Sequence, residues 1–467
     1  MTPELPGPAR AAILAQGELY EVGGSVRDRL LGRLPYDCDY LATGIPLDDL
    51  VRLLSRFGYA DWVGRSFGVI KFTFRERDAE STTVDIALPR KEKSTGSGHR
   101  DFEVEFDPAL PIEEDLVRRD FTVNAMAINL RTDALVDPTG GRADLEARRL
   151  RLIFPAAFTE DPLRILRALG LVARLNFTLD PDLRRSLEAH VEQLGGVAPE
   201  RVAEELTKIL TLAEKPGPAL RLMAETGVLD VLIPELRPAV GCDQPGSYHA
   251  FDVFEHSLRV VDAAPTRLAL RWAALLHDVE KPRTKEVKGD KVTFYNHEIL
   301  GAETARQVLN RLRYGHDLSA HVAVLIERHL FNTDMGDRGL RRLVRAVGTD
   351  RIDDLLDLRR ADVVGQGMGG SAEDVDLFAL RIRALLDARP PFTRSELAVD
   401  GHALMEAFDL EPGPELGETL NYLLDRVLDE PEHNDRETLL RWAAAYLHRG
   451  LAVAAPVLLS AVALLGG

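Results

Sequence analysis

Cysteine is nearly absent from this chain of 467 residues. Cys38 and Cys242 cannot build a disulfide framework, so the expected compartment is a reducing cytoplasm. A basic-then-apolar layout is missing at the amino terminus, which argues against a secretory signal. Long apolar runs are missing too. The charge-free stretch 451–465 falls short of the ~20 residues a membrane span takes, so a packed terminal helix or a dimer contact is expected there and no membrane partner. No repeat of solenoid period is visible. A surplus of basic residues is also lacking: the net charge is -17, which taken whole argues against a nucleic-acid partner.

What the chain does contain describes an ordinary folded protein. It is 45% hydrophobic and 28% charged with a mean hydropathy of -0.11, which excludes wholesale disorder. At about 150 residues per domain, its length allows about three domains. The acid is unevenly spread. Residues 241–370 hold 19 basic and 19 acidic residues, whereas 371–467 hold 8 and 17, so whole-chain charge does not settle the partner.

Short alternating runs broken by glycine, GELYEVGG, WVGRSFGVIKFTF and STTVDIAL, predict strands within the first 150 residues. SVRDRLLG and PLDDLVRLLSRFG predict helices among them, and 90–101 reads as a polar, basic, mobile loop. Beyond about residue 155 the helical period dominates, in DPLRILRALGLVARL, RVAEELTKILTLA, ALRLMAETGVLDVL and LRWAALLHD. Proline and glycine clusters near 234–246, 365–370, 390–392 and 411–417 mark candidate boundaries. The expected class is α+β: a small mixed α/β head over 1–150 followed by helical parts over 151–240, 241–370 and 371–467.

The first chemistry lies in EVGGSVRDRLLGRLPYDCDYLATG. Gly23 and Gly24 end a strand and open a helix, so their N–H groups suit a triphosphate, and Arg27 stands one turn further on. Asp37 and Asp39, two apart in a segment that reads as a strand, would share a face. Such a pair suits Mg²⁺ and two-metal phosphoryl transfer, and Asp85 would add a third carboxylate able to help activate an attacking hydroxyl. A lone DxD or GG is usually only a turn; the combination with Arg27 is what singles this segment out.

From these residues on, the sequence resembles the tRNA nucleotidyltransferases (CCA-adding enzymes) and bacterial poly(A) polymerases of the second nucleotidyltransferase class. GGSVRD with Asp37 and Asp39 looks like the family's metal and triphosphate motif. EEDLVRRDFTVNAMAI is similar to its RRDFT segment, which implies triphosphate or ribose contacts for Arg118, Arg119 and Asp120. VDPTGGRADL resembles the hinge motif, with Asp137, Gly140 and Asp144, and APERVAEELTKIL resembles the helix after the base-selecting motif. FTEDPLRILRALG looks like that motif itself: Asp161 and Arg164, expected on one helix face, would read the pairing edge of cytosine or adenine, with Arg167 near phosphates. The alternative for that pair is an intrahelical ion pair. Where the family has a further arginine three residues after Arg167, this chain has Gly170, which removes a cationic contact. The loop at 90–101 is kept, which in the family favours full CCA or terminal-A addition over addition of C alone.

A second constellation resembles the HD phosphohydrolase superfamily: His256, the adjacent His277 and Asp278, and Asp362, with His297 and His329 as supports. The resemblance implies a second divalent metal, able to activate water against a phosphoester. Glu280 stands where HDxGK normally has glycine, while Lys281 is kept. The acidic end, with its DGxxLM turn, GPELG step and Asn434, resembles the tRNA-binding tail of the same enzymes.

The reading implied is Mg²⁺-dependent, template-independent addition of C and A from CTP and ATP to the 3′ end of tRNA. Alternatives within the class are an enzyme adding only the terminal A, or a poly(A) polymerase. Outside it stand an HD-type phosphohydrolase with an RNA-binding head and a non-catalytic tRNA-binding protein. Arg338, Arg341, Arg342 and Arg345 are the expected tRNA-facing cations.

Overall fold

The alternating segments of the first 150 residues become one mixed sheet in a computed structural model of the chain. It describes residues 4–448 except 36, 64–67, 76–80, 95–101, 246–249, 290, 370 and 389, so the tip of the expected loop and the apolar end lie outside the described residues. Two compact units result, Met1–Val240 with Arg311–Tyr314, and Gly241–Asn310 with Gly315–Gly467.

The first unit opens with α1 (Gly7–Leu14), β1 (Glu18–Val22), α2 (Gly24–Leu30), β2 (Asp39–Thr43), α3 (Leu47–Leu54), β3 (Tyr59–Val63), β4 (Val69–Arg75) and β5 (Ser81–Ala87). A hairpin of β6 (Arg90–Ser94) and β7 (Phe102–Phe106) follows, so the first part of the expected loop is strand. Then come α4 (Ile112–Leu116), β8 (Ala127–Asn129) and β9 (Leu135–Val136). Seven strands pair in the order β3-β4-β5-β2-β1-β8-β9, with β2 and β5 parallel and the other neighbours antiparallel.

Period-two alternation gives this sheet two unlike faces. On one, Leu19, Ala42, Ile70, Phe72, Val84 and Ile86 pack under α1 and α3, whose Leu50, Leu53 and Leu54 are buried. Each such leucine contributes roughly 1.5–3 kcal/mol by leaving water. On the other, α4 covers Val22, Leu41, Ala125 and Ala127. Beyond β2 that second face turns polar and exposed, through Lys71, Thr83 and Tyr59.

The unit continues with α5 (Gly141–Glu146), α6 (Ala157–Glu160), α7 (Arg164–Leu175), α8 (Pro181–His190), α9 (Pro199–Leu212), α10 (Gly217–Glu225) and α11 (Val228–Leu232). The last two, one continuous pattern in sequence, are split by Gly227 at φ 82.

The second unit is helical: α12 (Val253–Ala263), α13 (Leu268–Leu276), α14 (Lys281–Thr284), α15 (His297–Arg311), α16 (His316–Arg328), α17 (Asp337–Val347), α18 (Ile352–Gly365), α19 (Glu373–Asp387), α20 (Gly401–Phe408) and α21 (Pro414–Asp429). The arginines of α17 depart from expectation. Arg338 and Arg342 pair with Asp429 at 2.6 and 3.0 Å, Arg345 pairs with Asp425, and Arg341 donates to the Leu428 and Asp429 carbonyls. They hold the carboxyl end of α21, where free carbonyls and the helix dipole favour cations, and are not segregated from the acid. Among the described residues no helix is long and apolar enough to cross a membrane.

Candidate active site and a buried metal-ligand cluster

Glycine is required where β1 turns into α2. Gly23 has φ 78, and a side chain on it would meet the Arg119 guanidinium at 3.0 Å. Gly24 follows, its Cα facing Arg27 closely enough that a Cβ would stand 3.4 Å from Nη2. Arg27 is buried. It donates to Asn124 Oδ1 at 2.6 Å and to Asp28 Oδ1 at 2.8 Å, and burial lowers its pKa against the pull of Asp28. Arg118 and Arg119 both bind the fully buried Asp115, at 2.6 and 3.3 Å. One carboxylate thus orients two guanidiniums, of which that of Arg119 lies beside the glycine turn and gives a cationic place for a polyphosphate.

The carboxylates follow along the sheet. Asp39 is the first residue of β2, opposite Val22 in β1 and opposite Asp85 in β5. Asp37 is not in the strand, as its spacing had suggested. It sits in an exposed bend, because β1 stops pairing at Val22 to turn into α2 and leaves residues 37 and 38 no partner on that side. Asp39 is solvent-accessible at its tip but has protein on most sides. That partial desolvation, then Asp37 and Asp85, push its carboxyl up to about 6, against Arg119 and Lys71. The carboxylates repel one another in a way a bound cation would relieve, so the donor set fits a hard divalent ion. Cys38 between them is buried, and burial raises its thiol to about 11, which leaves it inert.

Asp120 does not face the open site. It is buried, accepts from the Phe121 N–H at 2.8 Å and from Asn124 at 3.3 Å, and pairs with Arg167 of α7 at 2.7 Å. Its carboxylate raises the Arg167 pKa. The hinge motif is organised around Asp144, which takes Thr122 Oγ1 at 2.7 Å, Arg149 at 2.7 Å and Arg151 at 2.9 Å. Asp137 accepts from the Gly141 N–H at 2.7 Å beside Gly140. A Cβ on Gly141 would lie 2.2 Å from the Thr122 carbonyl, so only glycine allows this approach.

The base-selecting pair is arranged differently from its expected single helix. Asp161 ends α6 in an extended conformation and Arg164 opens α7, because Pro162 follows Asp161 and breaks the helix between them. The Arg164 N–H donates to the Asp161 carbonyl at 3.1 Å, but the two side chains take other partners. Asp161 binds Arg201 of α9 at 3.2 Å; Arg164 lies 3.4 Å from Glu160 and over the Phe154 ring. Carboxylate and guanidinium are thus each fixed by a partner outside the pair. At Gly170 an added Cβ would make ordinary contact with Ile209 at 3.6 Å, so glycine is not required there by a close approach.

In the second unit His256, His277, Asp278 and Asp362 are all buried and converge. His256 Nε2 is 3.2 Å from His277 Nε2, 3.6 Å from Asp278 and 3.1 Å from Asp362. His297 and His329 join from the other side, 3.3 and 3.9 Å from Asp278 Oδ1. Two sets of donors within 4.8 Å result, His256 with His277 and Asp278, and Asp278 with His297 and His329; among the described residues these are the only such groups. The Nδ1 atoms of His277, His297 and His329 lie 2.9, 2.6 and 2.7 Å from the carbonyls of Ala274, Phe294 and Ile326. Carbonyls only accept, so each Nδ1 carries the hydrogen and each Nε2 lone pair points inward.

Burial disfavours charge on His277, but Asp278 and Asp362 outweigh it and raise its pKa. Asp278 is held well below the carboxylate range, its burial overcome by His277, Lys281 and His297. His329 is pushed down to about 3, chiefly by burial. Asp278 is buried with Lys281 at 2.7 Å from one oxygen and imidazole nitrogens at 3.2 and 3.3 Å, and these converging imidazoles and carboxylates are donor types that fit a metal ion. Glu280 does not crowd it. Its carboxylate is turned to Thr304 Oγ1 at 2.6 Å and to Arg283, and its φ of -94 needs no glycine.

Sequence reasoning had missed Asp115, Asn124, Arg201 and Lys71. The first was legible, since an acid three and four residues before two arginines is a pairing signal on a helix. The others depend on tertiary placement.

Known proteins resemble the chain in the same order. It matches the poly A polymerase head domain over residues 19–151, the probable RNA and SrmB-binding site of polymerase A over 176–240, and the HD domain over 248–365. An A-adding tRNA nucleotidyltransferase of Deinococcus radiodurans is 37% identical over 73% of this chain and 81% of its own length. A multifunctional CCA protein of Xylella fastidiosa is 36% identical over 67% of this chain and 73% of its own. Among solved structures, the CCA-adding enzyme of Bacillus stearothermophilus in complex with CTP superposes with a TM-score of 0.69 at 23% identity, covering 96% of this chain and all of that one, a likeness of fold.

Proposed function

The chain belongs to the tRNA nucleotidyltransferase family, and from that premise we propose that it builds and repairs the 3′-CCA end of tRNA from CTP and ATP, releasing pyrophosphate. The family depends on a divalent metal; Mg²⁺ is the ion that suits Asp37 and Asp39. When bound, the ion polarises the α-phosphate and neutralises charge on the leaving group. The chain's own residues do the rest. Gly23, Gly24, Arg27, Arg118 and Arg119 receive the triphosphate, with Asp115 fixing the two arginines. Asp161 accepts from the exocyclic amine of cytosine or adenine, and Arg164 donates to the ring nitrogen of either base and to the carbonyl of cytosine. Asp120 and Arg167 position the head motif against α7. Asp85 faces the attacking 3′-hydroxyl, and catalysis is mainly positioning and charge neutralisation.

The observation that carries this reading is the Arg119 guanidinium against the glycine turn, one strand from the Asp39–Asp85 register. The working division of the chain is a catalytic head over 1–150, a neck over 151–240, an HD-like body over 241–370 holding a second divalent metal at His256, His277, Asp278 and Asp362, and a tRNA-binding tail over 371–467. The expected location is cytoplasmic, with no membrane partner.

The A-adding relative favours one second reading, addition of the terminal A alone. Transcripts ending before CCA, after C and after CC, offered CTP, ATP or both, separate the two. Stepwise completion of all three supports CCA addition; extension of the CC end alone by ATP supports A addition. Long ATP-only tails mean poly(A) synthesis. No extension, with metal-dependent release of phosphate from 2′-AMP, overturns the proposal in favour of a phosphohydrolase.

A further inference from the structure

The sheet register places a fourth charged group in line with the carboxylates. Across β2, β5 and β4, Asp39 faces Asp85 and Asp85 faces Lys71, so the three side chains stand on one face in adjacent strands. Lys71 Nζ lies 3.1 and 3.4 Å from the two Asp85 oxygens, and both side chains are about half exposed, at 50% and 41%. The glycine turn lies on the far side of Asp39, at the end of β1. In-line displacement brings the attacking hydroxyl from the side opposite the leaving pyrophosphate. That is the side of Asp85 and Lys71.

We propose that Lys71 is a positioning residue for phosphoryl transfer: it orients the Asp85 carboxylate toward the attacking hydroxyl and, by opposing its charge, limits how tightly the three carboxylates hold a divalent ion before substrates arrive. The proposal rests on the reading of Asp39 and Asp85 given above. An exposed ion pair of this kind is weak, so an incoming ion and substrate can displace it, whereas a buried pair would lock the carboxylate away. Lys71 alternates with Ile70 and Phe72, which fill the core, so its side chain is committed to the catalytic face.

The test uses the full chain and Mn²⁺ alone, titrated by electron paramagnetic resonance without nucleotide or RNA. The head component is the binding that Asp39→Asn removes, which separates it from the buried His/Asp cluster. Lys71→Met is expected to tighten that component about threefold to tenfold. Its single-turnover rate of C addition should fall at least tenfold at saturating Mg²⁺, with the KM for CTP unchanged and Lys71→Arg restoring both properties. Unchanged or weaker Mn²⁺ binding, or an unchanged rate, overturns the role of Lys71. Incorporation retained by Asp39→Asn overturns instead the underlying site reading. Should Lys71→Met lower the melting temperature, Lys71→Gln gives the same readings with a polar replacement.

Discussion

Two candidate metal sites in one chain are built on opposite principles. In the head, Asp37 in its exposed bend, Asp39 at the start of β2 and Asp85 within β5 lie along an accessible face, where partial desolvation and then mutual repulsion hold Asp39 up at about 6. In the second unit, His256, His277, Asp278 and Asp362 are fully buried, three imidazoles of the cluster are fixed through Nδ1, and Asp278 is pressed far below its usual range. An open set of mutually repelling carboxylates waits for an ion that arrives with a triphosphate. A closed set of oriented donors would suit a resident one. On the proposed reading, the first site would turn over its metal with substrate and the second would store it.

The hardest test of that contrast is Asp39→Ala, expected to lower nucleotide incorporation by at least a thousandfold while leaving tRNA binding within twofold in a filter-binding assay. Incorporation near the wild-type rate would remove the head from the comparison. Next is Asp278→Ala, expected to abolish stoichiometric metal retention, measured by elemental analysis after gel filtration, while C and A addition persist. A parallel loss of addition would mean that the two sites are not separable.

Arg164→Ala is expected to cost about 1–3 kcal/mol of discrimination, measured as the ratio of kcat/KM for CTP over UTP, because one bidentate contact to the base edge is lost. The smallest effect concerns stability. A carboxyl raised from 3.8 to about 6 destabilises the folded chain at pH values above about 6, and that penalty disappears as the pH falls below 3.8. Asp39→Asn should therefore raise stability at pH 7.5 by about 1 kcal/mol after solvent screening, with no gain at pH 3.5, read by denaturant melts without divalent ions. A gain equal at both pH values would assign it to packing.

How much of this was visible in the sequence depends on how far each feature reaches along the chain. The His/Asp cluster was legible because HD and its flanking histidines are chemically rare and fall at helix ends, where His277 and His329 indeed sit. The glycine turn and the two arginines were legible because their motif is contiguous. Asp37 was misplaced since strand length is decided by the partner: β1 ends at Val22, and nothing local to residue 37 says so. The base-selecting pair was put on one helix because spacing was weighed above Pro162. The α17 arginines read as a nucleic-acid face in sequence because their partners, Asp425 and Asp429, lie 80 or more residues away. Lys71 was invisible for the same reason, since a register is a property of two strands.

The depth of the His/Asp cluster has a kinetic consequence. His256, His277 and Asp278 are at most 1% exposed, and α12, α13 and α18 enclose them. An ion seated among them would be shielded on the sides those helices cover, and its exchange would be slowed to the rate of local opening there. History would then count for more than affinity: a metal retained by a preparation would reflect the ions present as the chain folded, and exchange for a better-bound ion would follow only on the timescale of that breathing.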